Sequence, residues 1–121
     1  MIEGLIGILL SANAGTALPV VASFESEAGM IELTSADIID AAPQFGGTGP
    51  GLRIDFTNDA HARISTLVDE SQGIMLRLLI CGEVVLDADA PKAIPASISF
   101  PFNGLGAANW TAGILTGDRP C

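Results

Sequence analysis

Leu52-Arg53-Ile54-Asp55-Phe56-Thr57-Asn58-Asp59-Ala60 decides the fold class, because the hydrophobic period changes within it. Leu52, Ile54 and Phe56 alternate with Arg53 and Asp55, the two-residue period of a strand with one wet face. From Ala60 onward the apolar residues fall at Ala60, Ile64, Leu67 and Val68, which is helical spacing, while Asp59, Arg63, Asp69 and Glu70 occupy the other side. Thr57 or Asn58 caps this helix, and Gly73 closes it. Ile74 to Cys81 is then almost continuously apolar, as expected of a strand at the centre of a sheet. Gly82-Glu83 turns that strand into Val84 to Leu86, forming a hairpin.

Upstream, Val20 to Phe24 and Met30 to Leu33 read as strands around a polar turn at Ser26 to Gly29. Thr34-Ser35-Ala36-Asp37 places hydroxyls ahead of a carboxylate, the pattern of a helix start. Ile38, Ile39, Ala41 and Ala42 would give that helix its apolar side until Pro43 ends it. Phe45 to Gly51, with four glycines, reads as a flexible loop. Downstream, Asp87 to Pro95 is irregular and holds two prolines. Ala96, Ile98 and Phe100 alternate with Ser97 and Ser99 as a last strand, which Pro101 stops. Asn103 is positioned to cap a final helix with Leu105, Ala108, Ala112 and Leu115 as its buried stripe. The expected fold is α+β: a mixed or antiparallel sheet of four to five strands, with two to three helices packed on one face.

The chain has 121 residues, enough for one domain with a modest core. Residues 1–22 are set apart from a single domain over 23–121. Leu5 to Leu10 is nearly all apolar, Ala12-Asn13-Ala14 offers a cleavage pattern, and a second cut is available after Ala22. This resembles a secretory signal peptide, although Glu3 stands where such segments carry Lys or Arg. The alternative is a helix packed on the domain and stopped near Pro19. The stretch is too short and interrupted for a membrane span, which needs about 20 apolar residues.

Five basic against fourteen acidic residues give a net charge of −9. Nucleic-acid binding needs clustered cations to displace counterions from phosphates, and the sequence has no basic block. The same acidity disfavours anionic membrane surfaces. Cys81 and Cys121 are compatible with one disulfide in an exported protein. They are equally compatible with a small buried side chain and a free terminal thiol.

No grouping of residues points to catalysis. His61 is the only histidine and falls beside Asp59 and Arg63, off the apolar stripe, so a solvated position is expected. Asp87-Ala88-Asp89-Ala90 lacks the glycine and distal glutamate of a calcium loop. The glycines from Gly46 to Gly51 are followed by Leu52 and Arg53 rather than by a lysine and a hydroxyl, so they form no phosphate cradle. Asn109-Trp110-Thr111 matches the glycosylation tripeptide but lies inside a predicted helix. Trp110 falls off that helix's buried stripe. It either packs beneath the Gly-rich loop as core, the commoner use of a lone large aromatic, or stands exposed as an anchor for a partner. Neither cofactor nor metal is expected.

The run Ile31-Glu32-Leu33-Thr34-Ser35-Ala36-Asp37-Ile38, followed by Ala41-Ala42, resembles the entry to the head of the first periplasmic domain of SecD/SecDF, the preprotein-translocase accessory proteins. The later order is similar too. An extended segment ends in Phe56, a helix ends in Gly73, and an apolar hairpin turns at Gly82. Ala90-Pro91 follows, then a closing strand, Phe102-Asn103-Gly104 and an Ala-rich helix. About 85 residues are covered. The Ile-Thr-Gly usual before the last helix is replaced by Phe100-Pro101-Phe102-Asn103-Gly104. The transmembrane helices and proton-relay aspartate of SecD have no counterpart, so proton-coupled pulling is not implied.

The resemblance implies a detached head: a non-enzymatic, periplasmic or otherwise extracytoplasmic module that contacts a translocating, unfolded or partner polypeptide, the Sec translocase included. Ala96 to Phe100 is the expected edge strand, because prolines flank it at Pro95 and Pro101. Ile98, Phe100, Phe102 and Trp110 are the candidate polypeptide-binding residues. The alternative is a structural or assembly module whose acidic face recognises a folded protein partner.

Overall fold

The computed structural model describes residues 18–121. The N-terminal segment, read above as signal peptide or packed helix, lies outside the described residues up to position 17. Strands β1 (Val20–Ser26), β2 (Gly29–Thr34), β3 (Ile38–Gly46), β4 (Gly49–Phe56), β5 (Met75–Ile80), β6 (Glu83–Asp89) and β7 (Ser97–Pro101) combine with helices α1 (Asn58–Glu70) and α2 (Leu105–Leu115). The α+β class and antiparallel pairing stand. The strands divide between a four-stranded sheet, β2-β1-β5-β6, and a three-stranded sheet, β3-β4-β7. No helix among the described residues is long and apolar enough to cross a membrane.

Strand β4 keeps the alternation that opened the reading: Leu52, Ile54 and Phe56 are buried, and Arg53 and Asp55 are not. Thr57 caps α1, its hydroxyl accepting from the Ala60 N–H at 3.1 Å, and Ala60, Ile64, Leu67 and Val68 form the buried stripe. Strand β5 is internal between β1 and β6, as its apolar run requires. Residues Cys81 (φ 53°) and Gly82 (φ 81°) are both left-handed, the geometry of a two-residue hairpin turn whose twist matches its strands.

Two local expectations fail for physical reasons. Thr34 and Asp37 do form a reciprocal cap: the Thr34 hydroxyl accepts from Ala36 N–H, and Asp37 Oδ2 accepts from Thr34 N–H at 2.9 Å. Yet the cap serves only one 3₁₀ turn, Ser35–Asp37, and the chain then extends as β3. Adjacent β-branched Ile38 and Ile39 favour a strand, and antiparallel pairing with β4 from Ile38↔Phe56 to Gly46↔Gly49 supplies the hydrogen bonds. Pro43 is tolerated because β3 is an outer strand. Likewise Phe45 to Gly51 is a hairpin rather than a loop, turning through Gly47 and Thr48.

The two sheets share one core. The rings of Phe24 on β1 and Phe56 on β4 meet edge to face at 5.9 Å. Helix α2 lies against β3 and β4 and reaches β1, burying Ala108, Ala112, Gly113, Ile114 and Leu115. Its start is Gly104 rather than Asn103, without a side-chain cap, and Leu105 is exposed instead of buried. Cys81 and Cys121 are joined in a disulfide, with Cα atoms 5.5 Å apart, tying the C-terminal tail to the β5–β6 turn.

Candidate functional site: an open strand edge beside an apolar cleft

Strand β7 pairs with β4 on one side, from Gly51↔Pro101 to Asp55↔Ser97, and is the outer strand of its sheet on the other. Phe56 N–H donates to Ala96 O at 2.9 Å, and Phe102 N–H donates to Pro50 O at 3.0 Å. Residues 96 and 102 therefore face β4. By alternation the backbone N–H and C=O of Ser97 and Ser99 point the opposite way, along the open edge. Pro101 has no N–H, so the edge stops there.

Along that edge runs an apolar cleft of about 310 Å³. Ile98 and Phe100 of β7 form one wall, and Leu86 and Ala88 of β6, the outer strand of the other sheet, form the opposite one. The buried side chains of Phe24, Leu76 and Leu78 lie beneath. The two sheets thus present their open edges across a common floor.

The β6–β7 connection, which also lines the cleft through Pro91 and Ala93 to Pro95, is pinned by α1 and the residues after it. His61 Nε2–H donates to Ile94 O at 2.7 Å, since a carbonyl can only accept. The Gln72 side-chain amide donates to Pro91 O at 2.7 Å and to Val68 O at 3.0 Å. His61 is therefore half-buried and structural rather than solvated, a role visible only once residues 33 positions apart are brought together.

The fold unites three of the four predicted residues. Phe100 is buried at 6 % exposure, Ile98 is half-buried beside it, and Phe102 meets the Phe100 ring edge to face at 6.2 Å. Trp110 stands apart from this cleft and is not core: it is 61 % exposed, with the Arg119 guanidinium 4.3 Å above its ring. Sequence reasoning missed the opposite wall: the hairpin signal places Leu86 on a strand without saying what faces it, and Ala88 was expected in an irregular stretch, whereas pairing with β5 extends β6 to Asp89.

The basic side chains are largely engaged. Arg53 meets Asp40 at 2.8 Å and Asp55 at 3.3 Å, and Arg63 meets Asp37 at 2.7 Å and Asp59 at 3.2 Å. Arg77 lies 3.8 Å from Glu25 and 3.7 Å from Asp87. The surface is left acidic. Among the described residues no His, Cys, Asp or Glu cluster is arranged to hold a metal ion.

The chain is thus an antiparallel α+β domain with a free strand edge and an adjoining apolar cleft. The fold is that of a segment within SecDF structures. The chain aligns with the crystal structure of SecDF in its super-membrane-facing form at a TM-score of 0.62 and 23% identity, covering 69% of this chain and 12% of that one. A second structure, of a membrane component SecDF that enhances protein export, gives the same TM-score, identity and coverage of this chain, with 40% of that chain covered. This chain therefore spans less than half of either. No family model and no curated protein matches the sequence.

Proposed function

We propose that the protein is a non-enzymatic, extracytoplasmic polypeptide-binding module that takes an extended segment along the open edge of β7. The observation that carries this reading is the outward-facing backbone of Ser97 and Ser99 directly beside the apolar cleft. Backbone pairing supplies affinity with little dependence on sequence, and the cleft walls accept alternate side chains. Ile98 and Phe100 contact the segment, and Phe102 supports Phe100 from behind. The SecDF-like fold supports a role in protein export, where unfolded polypeptide is the natural ligand. The Cys81–Cys121 disulfide supports an oxidising compartment outside the cytoplasm.

The test is a nuclear magnetic resonance titration of the isotope-labelled chain with an unfolded secretory polypeptide, at low and high salt. Shifts across Ser97 to Phe102 and Leu86 to Ala88 that persist at high salt are expected, because neither backbone pairing nor apolar burial is screened. The variant Ser99→Pro removes one outward N–H without touching the β4 ladder, and is expected to abolish those shifts while the fold is retained. Unchanged binding by a folded Ser99→Pro protein, or no shifts at millimolar polypeptide, overturns the reading.

A further inference from the structure

Resting on that reading, we infer that the β7 edge also pairs with the β7 edge of a second copy of this chain. The two copies mask each other's binding edge until polypeptide displaces them. The edge is nearly symmetric about Ile98, reading Pro95-Ala96-Ser97-Ile98-Ser99-Phe100-Pro101. Ser97 and Ser99 carry the outward N–H and C=O groups, and the prolines supply no N–H at either end. Two such strands related by a two-fold axis through Ile98 run antiparallel, with Ser97 opposite Ser99 of the second copy and Ser99 opposite its Ser97. That register satisfies every outward N–H and C=O of both serines in both copies. Pairing Ser97 with Ser97, or Ser99 with Ser99, instead sets a serine carbonyl against a proline that has no N–H.

The side chains fit the same axis. Ile98 meets Ile98 of the second copy on the face that lines the cleft, and bulky Phe100 meets small, exposed Ala96. Charge also favours this edge over the others. No charged residue lies between Lys92 and Asp118 in a protein that otherwise carries −9, so the copies approach here without like charges opposed. The remaining outer strands offer no such contact. β6 carries Glu83, Asp87 and Asp89, β3 is interrupted by Pro43, and on β2 the Glu32 carbonyl accepts from Arg63 at 3.4 Å. A two-fold contact is closed, so it covers the edge without propagating into a fibre.

The experiment joins sedimentation of the full chain with cysteine crosslinking. Sedimentation from about 10 μM to about 1 mM is expected to show the mass doubling as concentration rises. The doubling should be more complete at about 500 mM than at about 50 mM NaCl, because salt screens the repulsion between two copies at −9. Ile98→Cys is expected to form a covalent dimer on mild oxidation, since Cα atoms about 4.5 Å apart across such a pair are within disulfide reach. Ser99→Cys lies about 7–8 Å from its own copy across the diagonal and is expected to crosslink about 5-fold less or weaker. The parent chain, whose two cysteines are already paired, is the blank. Added unfolded secretory polypeptide is expected to return the dimer to monomer. A protein that stays monomeric throughout yet binds polypeptide overturns the self-pairing alone, and equal crosslinking by the two variants overturns it too. A dimer crosslinked through position 98 that polypeptide neither binds nor dissociates upholds the pairing and overturns the polypeptide reading. A monomer that binds nothing overturns both.

Discussion

A Cβ placed on Gly51 would stand 2.8 Å from the carbonyl oxygen of Phe100. Gly51 pairs with Pro101, so this close approach is where β7 seats against β4. The obstacle is backbone, which cannot swing aside as a side chain would. Gly51→Ala is expected to push β7 outward and destabilise the protein by about 1–3 kcal/mol, the usual cost of overpacking. Urea unfolding of the two proteins measures it. Equal midpoints would show that β7 sits less tightly than its distances imply.

Removing the disulfide should have a larger effect. Cys81 and Cys121 are 40 residues apart, and Cys81 also occupies a left-handed turn position. Closing a loop of that length restricts the unfolded chain, and Cys121→Ser is expected to cost about 2–4 kcal/mol. The tail beyond Gly117 should then become mobile, seen as lost protection of the Asp118 and Arg119 amides, which both donate to Gly113 O. A thermal midpoint that does not change on reduction would contradict this.

Much of this architecture was legible because several segments obey a single period. Leu52–Phe56 alternates strictly, α1 carries its buried stripe between a threonine cap and Gly73, and β5 is apolar enough to be placed inside a sheet. The Pro95 and Pro101 flanks located the free edge correctly, because a missing N–H is costly anywhere else. Ile38–Gly46 misled because two signals conflicted. A real capping box preceded it, but that box closes a single turn, and pairing with β4 outweighed helix propensity. The second wall of the cleft was invisible for another reason. Leu86 and Ile98 face each other only because two separate sheets share a core, and periodicity within one segment carries no information on that.

Trp110 offers a direct optical test of the C-terminal tail. Arg119 Nη1 donates to Trp110 O at 2.9 Å while its guanidinium covers the ring, and it reaches there by crossing Gly113, where a Cβ would collide with it. Gly113→Ala is expected to displace the guanidinium and red-shift the emission of the only tryptophan, as Arg119→Ala should. The costs should stay near 1 kcal/mol, because an exposed cation–π contact is worth about 0.5–1 kcal/mol and alanine favours the helix. Emission identical to the parent in both variants would mean that the stack is not populated in solution.

The His61–Ile94 and Gln72–Pro91 hydrogen bonds both hold the β6–β7 connection where it lines the cleft. His61→Ala removes the donor to a carbonyl that α1 then no longer satisfies, a loss of about 1 kcal/mol. Gln72→Ala should cost about as much, and because both bonds restrain the same segment, the double variant should lose less than the sum of the singles. Binding provides the sharper readout. A released connection can fold into the cleft through Ile94 or away from it, so the double variant should change peptide affinity more than either single one. His61→Gln, whose side-chain N–H can still reach the carbonyl, should restore most of it. Unaltered affinity in the double variant would show that the connection does not shape the cleft and that β6 and β7 hold it open unaided.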